Sequence, residues 1–543
     1  MRPIERSRRF RFAVYDIETK GIGDLTFHCI GFFDGHEYWY FENLTEFFDH
    51  VFQPCYHGYR IFAHFGGRFD VHFLFDWLRQ NEPDLPLYII CSGSCVISLT
   101  VKLGKHYWRF CDSYRLLPAS LKRLGDEFET KHRKLDFAPL EMTYNRNDCL
   151  CLYEVLTQFF DLFDLTSETL ASHALRVFRR YHLTYDIFGA SEQTEEFVRS
   201  GYFGGRCEIF RWNAADLNKY DFNSMYPAAM LQNVPVYYLG ESRQLPDHDD
   251  QRMGFFLADV HYPEDSYLPV LPVLAQQKLF FPTGYYRGVF ADLELREAIN
   301  QGAGVRIISG RIFLAEPLLR SYAETIYQMK LEAERNNQPG KRYVCKILLN
   351  ALYGKWGQKR EQRMFLLDDG TAGLFPLPNG LAWKWVTCHA THIMPHIAAA
   401  ITSRARLMIW NSLQSCCAWY TDTDSLFTSD ILPVSDEIGS LKLEGTGVFR
   451  PERLKEYSFS EEEESEVKLK GIPRNERGLQ ALYMAGWDVP FDRMAGFLES
   501  IRTGMPTVRY VHAHRRMNPF VLEKRCRIGD NTRPWRMNEI LEM

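Results

Sequence analysis

The order of apolar and polar positions divides the first part of the chain into alternating strands and helices. Continuous apolar runs are typical of buried strands, and apolar residues three and four positions apart are typical of helices. On this basis we predict strands over Phe12–Ile17, His28–Phe33 and Glu37–Phe41, and helices over Phe69–Arg79 and Tyr144–Phe163. The alternation predicts an α/β domain that closes with the second helix.

The middle of the chain carries the patterns of two hairpins. Helical spacing over Pro317–Arg335 and Lys341–Trp356 is interrupted by Asn336–Gly340, which contains strong helix breakers and predicts a helical hairpin. Ala418–Thr428 reads as two short strands around a tight acidic turn.

Composition places the chain among globular proteins of several domains. Its 543 residues are 46% hydrophobic and 24% charged, and a chain of this length favours roughly three to four domains. There is no apolar run of the ~18–20 residues needed to cross a bilayer. The thirteen cysteines include no Cys-x-x-Cys pair and show no disulfide spacing. We expect a soluble, cytoplasmic protein in a reducing compartment.

Positive charge is concentrated near the end of the chain although the formal net charge is −5. Residues 502–536 contain nine Lys/Arg against two acids, with aromatic and histidine residues between them. Such a segment is typical of a surface that grips a phosphate backbone. A solvated basic face is the alternative if the segment is taken alone.

One set of acids lies on the predicted elements of the first domain. Asp16 and Glu18 share one face of a strand, because strand side chains alternate. Asp70 begins a helix, and Asp148 follows Tyr144 by one turn of another. Four carboxylates and a phenol of this kind are suited to hold two divalent ions and to orient a water against a phosphodiester.

A second set lies in the middle of the chain. Asp422 and Asp424 flank the predicted hairpin turn, and Asp221 ends a predicted strand. On the helix after the breaker, Lys346, Asn350 and Tyr353 share one face. A lysine there is suited to a triphosphate and a tyrosine to a base. An amphipathic core helix is the alternative for this segment alone.

In order, these motifs resemble those of family B DNA polymerases with a 3′→5′ proofreading exonuclease. Asp16-Ile-Glu18, Phe69-Asp70 and Tyr144-x3-Asp148 are similar to the three exonuclease motifs. Asp221-x2-Ser-Met-Tyr-Pro, Lys346-x3-Asn350-x2-Tyr353-Gly354 and Tyr420-x-Asp422-Thr-Asp424-Ser are similar to polymerase motifs A, B and C. The six motifs cover about residues 16 to 425.

The subgroup that the chain resembles most is the compact, protein-primed replicases of small bacteriophages and linear elements. The first motif begins near the start of the chain, and two stretches fall where this subgroup carries insertions. Tyr202, Gly204 and Gly205 resemble the family's linker motif, which implies contact with the primer terminus. Lys455 and Tyr457 resemble its Lys-x-Tyr motif, which implies that they hold primer-strand phosphates.

The resemblance implies a multidomain fold of the α/β and α+β classes. An RNase H-like exonuclease domain would be followed by a right-hand polymerase of palm, fingers and thumb with two insertions. The implied ranges are 1–165 exonuclease, 166–205 linker, 206–230 palm with motif A, 231–321 first insertion and palm, 322–357 fingers, 358–385 second insertion, 386–445 palm with motif C, and 446–543 thumb and basic C-terminal region.

The resemblance also implies a role for each residue of the polymerase motifs. Asp221, Asp424 and the carbonyl of Phe222 would bind two Mg²⁺ or Mn²⁺ ions, with Asp422 adjacent as support. Tyr226 would exclude a ribose 2′-hydroxyl. The triphosphate would contact Arg342 and Lys346, and the nascent base pair would contact Asn350 and Tyr353.

In the exonuclease, the resemblance implies that four acids bind two metal ions and that Tyr144 positions the attacking water. These acids are Asp16, Glu18, Asp70 and Asp148. The frayed strand would contact Thr19, Ser113 and Tyr114, with Lys134 as a further candidate. Phe65 stands where the family has an asparagine, and a ring can stack on a base but cannot donate an amide hydrogen bond.

The implied partners are a DNA primer–template and deoxynucleoside triphosphates, with a terminal protein as a further candidate primer and no membrane. The protein would act as a monomer. Two alternatives belong to other classes: a nuclease with a non-functional polymerase half, and a non-catalytic DNA-binding protein. The intact Asp221, Lys346 and Asp424 argue against both.

Overall fold

The computed structural model describes residues 1–5, 9–21, 24–136, 138, 140–247, 251–367, 373–387, 390–461, 464–468, 488–515 and 523–543. Within these ranges, no helix is long and apolar enough to span a membrane. The first strands are β1 (Phe12–Gly21), β2 (Asp24–Phe33), β3 (Tyr38–Phe41), β4 (Arg60–Ala63), β5 (Leu87–Ser92), β6 (Cys95–Leu103) and β7 (His106–Asp112). The helices among and after them are α1 (Leu44–Val51), α2 (Asp70–Asn81), α3 (Leu121–Glu127), α4 (Met142–Asp161), α5 (Leu170–Tyr181) and α6 (Glu192–Arg199).

The remaining elements alternate less regularly. Up to residue 356 they are β8 (Cys207–Ile209), β9 (Ala215–Phe222), α7 (Met225–Met230), β10 (Val234–Ser242), β11 (Arg252–Tyr262), β12 (Val273–Ala275), β13 (Lys278–Phe280), β14 (Gly284–Ala291), α8 (Asp292–Asn300), β15 (Gly304–Glu316), α9 (Arg320–Arg335) and α10 (Pro339–Trp356). They continue with β16 (Glu361–Leu367), β17 (Phe375–Leu377), β18 (Leu381–Thr387), α11 (Pro395–Gln414), β19 (Ala418–Asp422), β20 (Ser425–Thr428), β21 (Leu441–Arg453), β22 (Glu456–Glu461) and β23 (Glu464–Lys468). The last are β24 (Val489–Met494), α12 (Phe497–Thr503), β25 (Tyr510–Arg515), β26 (Cys526–Ile528), β27 (Asn531–Arg533) and α13 (Met537–Glu542).

A ten-stranded sheet, here called the N-terminal sheet, forms the first half of the fold. Its order is β17-β18-β16-β5-β6-β7-β4-β1-β2-β3. Strand β1 lies inside the sheet, antiparallel to β2 and parallel to β4, so both of its edges are hydrogen-bonded. The five predicted strands and helices of this region are confirmed, with ends that differ by a few residues.

Three strands of the N-terminal sheet come from residues far away in sequence. The second insertion forms a β-hairpin in which β16 pairs antiparallel with β18, and Pro378–Gly380 forms the turn between β17 and β18. The sequence did not predict its position: Met364 of β16 pairs with Ile90 of β5. Phe365 and Leu381 are buried in the same apolar core as α2, which fixes the insertion to the first domain.

A seven-stranded sheet, here called the central sheet, has the order β23-β22-β21-β9-β20-β19-β8. Helix α11 packs against α7 and α10 beside it. The β19–β20 hairpin has the predicted bounds. The α9–α10 hairpin is also confirmed, although α9 begins at Arg320 and Pro339 is the first residue of α10. A proline is tolerated there because the first turn of a helix leaves its N–H groups unpaired.

A separate four-stranded sheet fills the first insertion, with the order β10-β15-β11-β14. We predicted no individual elements for this region. Helix α8 follows β14 and packs on β11, β14 and β15. Its Glu294 is buried and paired with Arg406 of α11, so the insertion is tied to the core of the molecule rather than projecting from it.

The C-terminal region contacts both halves of the protein. Helix α12 packs on α2, with the ring of Phe497 5.0 Å from that of Phe75. The carboxylate of Asp76 on α2 accepts hydrogen bonds from the backbone N–H groups of Thr507 and Val508 at 2.8 Å. Residues 523–543 return to the central sheet, where Trp212 N–H donates to the carbonyl of Asp530.

Three arginines of residues 502–536, the segment predicted to grip DNA, contact the protein itself, and the DNA contact of the segment stays a prediction. Arg525 is buried between the rings of Phe210 and Tyr267. Arg533 pairs with Glu539 at 2.7 Å, and Arg536 pairs with Glu264 at 3.1 Å. These side chains hold the C-terminal region onto the fold. Arg516 and Phe520, which belong to the same prediction, lie outside the described residues.

Candidate active sites

The structure brings the four acids of the first set together on the N-terminal sheet, at what we call the N-terminal site. Asp16 and Glu18 lie on one face of β1, and Asp148 faces them from α4. One carboxylate oxygen from each of these three residues lies within 4.8 Å of the other two. Asp70, at the start of α2, is joined to the same strand because its Oδ1 accepts a 2.9 Å hydrogen bond from the N–H of Ile17.

The charges of the N-terminal site are not balanced by the protein. Burial, followed by the charge of Asp148, raises the pKa of Asp16 to about 7. Burial, followed by the charge of Asp16, raises the pKa of Glu18 to about 10. Oδ1 of Asp148 is buried without a hydrogen-bond partner among the described residues. Buried carboxylates that repel one another and offer an unpaired oxygen fit the ligand set of hard divalent cations.

Polar side chains around these acids hold them in place. Lys134 pairs with Oδ2 of Asp148, and its ammonium lies 4.7 Å from the ring centre of Tyr144. Asn145 donates to the carbonyl of Asp16 at 3.0 Å and accepts from the hydroxyl of Tyr38 at 2.9 Å. The structure places Lys134 at the acids, and its DNA contact stays a prediction. We did not predict Asn145, a fully buried amide beside Tyr144.

An aromatic platform lies next to the N-terminal site. The rings of Phe65 and Tyr114 stack with centroids 4.1 Å apart, and Phe65 is 36% exposed. Phe65 has a φ of +61°, which is unusual for a bulky residue and is maintained where the surroundings enforce it. Ser113 is buried and its hydroxyl donates to the carbonyl of Ala63, while Thr19 is half-buried on β1. DNA contacts by these residues stay predictions.

The second set of acids meets at the turn between β19 and β20, here called the hairpin site. Asp221 lies next to the end of β9 and pairs in register with Ser425 of β20. The N–H of Phe222 donates to the carbonyl of Asp424 at 2.9 Å, and Thr423 at the tip has a φ of +67°. Burial and then the charge of Asp424 raise the pKa of Asp221 to about 7. The two carboxylates therefore face a common space.

Asp422 has a different environment from its neighbours. Its Oδ1 pairs with the ammonium of Lys455 at 2.8 Å, and its Oδ2 accepts from the hydroxyl of Tyr420 at 3.4 Å. Tyr457 is buried in the apolar cluster beneath, against Tyr420. The predicted supporting position of Asp422 agrees with these contacts. The predicted DNA contacts of Lys455 and Tyr457 stay predictions. The burial of Tyr457 leaves little of its ring accessible to DNA.

Helix α10 presents a positive face to the hairpin site. Arg342, Lys346 and Asn350 are exposed along one side of the helix. Burial, and next the nearby charge of Arg342, lowers the pKa of Lys330 on the neighbouring helix. Lys330, which we did not predict, adds to this positive face. A concentration of cations beside paired carboxylates suits a polyphosphate that carries metal ions.

Two tyrosines stack on each other between α7 and α10. The rings of Tyr226 and Tyr353 are nearly parallel, with an angle of 6° and centroids 4.5 Å apart. Both residues are partly buried. The stack fixes the orientation of Tyr226, because a ring held on one face by another ring has few alternative rotamers.

The linker motif is fixed by a buried ion pair that the sequence did not reveal. Arg406 forms two hydrogen bonds to Glu294, at 2.7 and 2.9 Å, and donates to the carbonyl of Phe203 at 2.7 Å and of Gly204 at 3.0 Å. A Cβ atom on Gly205 would lie 2.7 Å from the side chain of Thr423. Only glycine therefore allows the linker to pass the hairpin tip. Tyr202 of the same motif packs against Gly357 after α10.

Known proteins are similar in sequence to this protein over most of its chain. A "DNA-directed DNA polymerase" of Enterobacteria phage PRD1 is 25% identical over 81% of this chain and 82% of its own length. The "DNA polymerase" of Streptococcus phage Cp-1 is 27% identical over 70% of this chain and 73% of its own. A "Probable DNA polymerase" of Neurospora intermedia is 24% identical over 58% of this chain, but that match spans only 40% of the Neurospora protein.

The fold is also similar to that of a solved polymerase. Phi29 DNA polymerase, in complex with primer–template DNA and incoming nucleotide substrates, matches 94% of this chain and 99% of its own with a TM-score of 0.74 and 18% identity. This likeness concerns the fold, including the N-terminal sheet and the central sheet. The family model described as "DNA polymerase type B, organellar and viral" matches residues 52–143 and 135–379. The chain belongs to the organellar and viral type B DNA polymerases.

Proposed function

We propose that this protein is a DNA-directed DNA polymerase with a 3′→5′ proofreading exonuclease. The observation that carries the proposal is the presence of two separate acidic centres on two sheets, the N-terminal site and the hairpin site. In each centre, divalent ions such as Mg²⁺ or Mn²⁺, two per site, would activate the attacking oxygen and stabilise the charge that develops on the leaving group.

At the hairpin site, Asp221 and Asp424 would hold the ions together with the carbonyl of Phe222. Asp422 would keep the turn in place through Lys455. The exposed side of α10 would bind the triphosphate through Arg342 and Lys346, and would place Asn350 and Tyr353 at the nascent base pair. Tyr226, held by its stack on Tyr353, would occupy the space that a ribose 2′-hydroxyl needs.

Primer extension by matched variants tests the polymerase assignment. We expect Asp221→Asn to reduce extension by at least about 10³-fold, because several kcal/mol of charge stabilisation is lost and each 1.4 kcal/mol is tenfold. Asp216→Asn is the control, since Asp216 lies on the same strand and is exposed. Extension by Asp221→Asn at the rate of the control would refute the assignment.

At the N-terminal site, Asp16, Glu18, Asp70 and Asp148 would hold the ions. Lys134 occupies one oxygen of Asp148 and leaves the other, which has no protein partner among the described residues, for a ligand. Tyr144 would hydrogen-bond the attacking water. The stacked rings of Phe65 and Tyr114 would receive the last base of a frayed strand, which compensates for the missing amide because every base has a π-face.

Release of a labelled 3′ nucleotide from a mismatched primer tests the exonuclease assignment. We expect the Asp16→Ala, Glu18→Ala double variant to lose release and to keep primer extension. The control is Asp24→Ala, an exposed acid on β2 beside β1. Robust release by the double variant would show that another site performs the degradation.

The same assays separate this proposal from a nuclease with a non-functional polymerase half. Wild-type protein that degrades but never extends would favour the nuclease, and protein that binds DNA without any metal-dependent turnover would favour a scaffold. The paired carboxylates and the positive face of α10 support the polymerase, because neither alternative requires them. The working partners would then be primer–template DNA and deoxynucleoside triphosphates, met by a monomer in the cytoplasm of the host cell.

We also propose protein priming and strand displacement, with the domain ranges implied by the resemblance. The support is the second insertion: β16–β18 extends the N-terminal sheet, and its exposed aromatics Phe375 and Trp385 project from the hairpin. A hairpin that extends one edge of the N-terminal sheet is suited to separate a downstream strand from the template. The rival interpretation is an ordinary loop in an enzyme that extends nucleic-acid primers only.

Two measurements test the proposals of strand displacement and protein priming. We expect Phe375→Ser with Trp385→Ser to keep short-gap filling and to lose long displacement synthesis on a nicked duplex, with Phe188→Ser, another exposed aromatic, as the control. Unchanged displacement would refute the role of the hairpin. Priming is tested by transfer of a labelled nucleotide to a terminal protein encoded beside this gene, and no transfer would remove protein priming while leaving the polymerase proposal intact.

A further inference from the structure

The hairpin formed by β24 and β25 carries two histidines and two aspartates on its exposed face. His512 and His514 are two residues apart on β25, so they point to the same side of the strand. Asp492 lies directly opposite His512 in the antiparallel register, and Asp488 lies just before β24. All four side chains are at least half exposed. Neither active site uses them.

Each imidazole is held through one nitrogen only. Nδ1 of His512 lies 2.8 Å from Oδ1 of Asp492, and Nδ1 of His514 lies 3.0 Å from Oδ2 of Asp488. A carboxylate at Nδ1 accepts a hydrogen bond from the protonated Nδ1 and so leaves Nε2 as the lone-pair nitrogen. Among the described residues, neither Nε2 has a hydrogen bond or an ion pair. Histidines that ligate metals show this same pairing with a carboxylate.

The separation of the two rings suits a single ion. Their centroids are 4.8 Å apart, at an angle of 82°. With metal–nitrogen bonds of about 2.0–2.1 Å, each ring centre would lie about 3.2 Å from the ion. A centroid separation of this size then corresponds to a nitrogen–metal–nitrogen angle of about 97°, between the octahedral and tetrahedral values. Exposed side chains allow the small rotations that bring both Nε2 atoms to one point.

We propose that His512 and His514 chelate one divalent transition-metal ion of the Zn²⁺ class through Nε2, with Asp492 and Asp488 as positioning residues. Imidazole nitrogens favour Zn²⁺, Ni²⁺ and Cu²⁺ over Mg²⁺, which prefers oxygen ligands. The site is thus chemically distinct from the carboxylate centres. Water would complete the coordination, since the face is open to solvent. The neighbouring cation Arg493 is neutralised by Glu499 at 3.0 Å and does not oppose binding.

Calorimetric titration of the full chain with Zn²⁺ in excess Mg²⁺ tests the proposal, because Mg²⁺ occupies the oxygen-ligand sites. We expect the wild-type protein to bind one more Zn²⁺ ion than the His512→Gln, His514→Gln double variant. Either single variant should bind that ion at least about 10-fold more weakly. His36→Gln, which removes an exposed histidine elsewhere, should change nothing.

A positioning test uses Asp492→Asn, which keeps the shape of the side chain and removes its charge. We expect an affinity loss of about 10–100-fold, as found when the carboxylate partner of a metal-binding histidine is replaced. Equal stoichiometry and affinity in wild type and double variant would overturn the site. Single variants that each retain wild-type affinity would overturn chelation, and an unchanged Asp492→Asn would overturn the role of the carboxylate. These substitutions are on the surface, so the melting temperature of each variant verifies that folding is intact.

Discussion

Glu294→Gln should destabilise the region around the linker motif strongly, although Glu294 touches neither active site. The side chains of Arg406 and Glu294 are each only 1% exposed and share two hydrogen bonds. The substitution leaves a buried guanidinium without a counter-charge, which costs about 3–5 kcal/mol in typical buried pairs. Glutamine keeps one acceptor oxygen, so we expect a loss of about 3 kcal/mol, at the lower end of that range.

The control for this prediction is Glu297→Gln on the same helix α8. Glu297 makes no ion pair recorded among the described residues and is partly exposed, so its substitution should change stability by about 0.5 kcal/mol or less. A chain with several sheets need not unfold in one step. The measurement is therefore native-state hydrogen exchange in peptides that cover the linker motif and α11, together with the melting temperature.

A double variant separates the two roles of Arg406, which pairs with Glu294 and donates hydrogen bonds to the carbonyls of Phe203 and Gly204. Glu294→Leu with Arg406→Met removes both charges, and such replacements of buried pairs are often neutral. We expect it to be more stable than Glu294→Gln, but to speed exchange of the amide N–H groups in the linker motif, because the carbonyls of Phe203 and Gly204 have lost their donor. The reasoning is refuted if Glu294→Gln exchanges like its control, or if the double variant is no more stable than the single one.

Three further outcomes follow from other contacts. Asp76→Ala should weaken the attachment of the C-terminal region to α2 by about 3 kcal/mol of free energy, because charge-assisted hydrogen bonds to two backbone N–H groups are lost. We expect faster proteolysis of that region, and unchanged proteolysis would contradict the prediction. Tyr226→Val should lower discrimination against ribonucleotides by at least about 10-fold, whereas Tyr353→Phe, which keeps the ring stack, should not. Mg²⁺ should raise the melting temperature of the wild type more than that of Asp16→Ala with Glu18→Ala, because a ligand of the folded state stabilises it.

Local sequence signals predicted the elements that carry the catalytic acids. The β19–β20 hairpin was located to the residue because short apolar runs flank a short acidic turn. The helical hairpin before it was predicted from breakers that act within a few residues. Asp16 and Glu18 share a face of β1 simply because strand side chains alternate.

Contacts between segments that lie far apart in the chain could not be predicted from the sequence. The pairing of β16 with β5 joins residues more than 270 positions apart, and any strand edge with a matching apolar face could have accepted that hairpin. The pair of Arg406 and Glu294 shows the same limit, because an arginine in a helical pattern reads as a surface residue until its partner is known. For this reason, too, Arg525 and Arg533 were assigned to a DNA surface although they bind the protein itself.

The central claim is that two independent acidic sites perform synthesis and degradation, and Asp424→Asn tests it most directly. A labelled primer with one mismatched 3′ nucleotide is incubated with template, Mg²⁺ and all four nucleotides, and both shorter and longer products are measured in one reaction. We expect Asp424→Asn to shorten the primer at the wild-type rate and not to extend it, since the N-terminal site keeps all its acids. Extension near the wild-type rate, or loss of both activities together, would contradict the account.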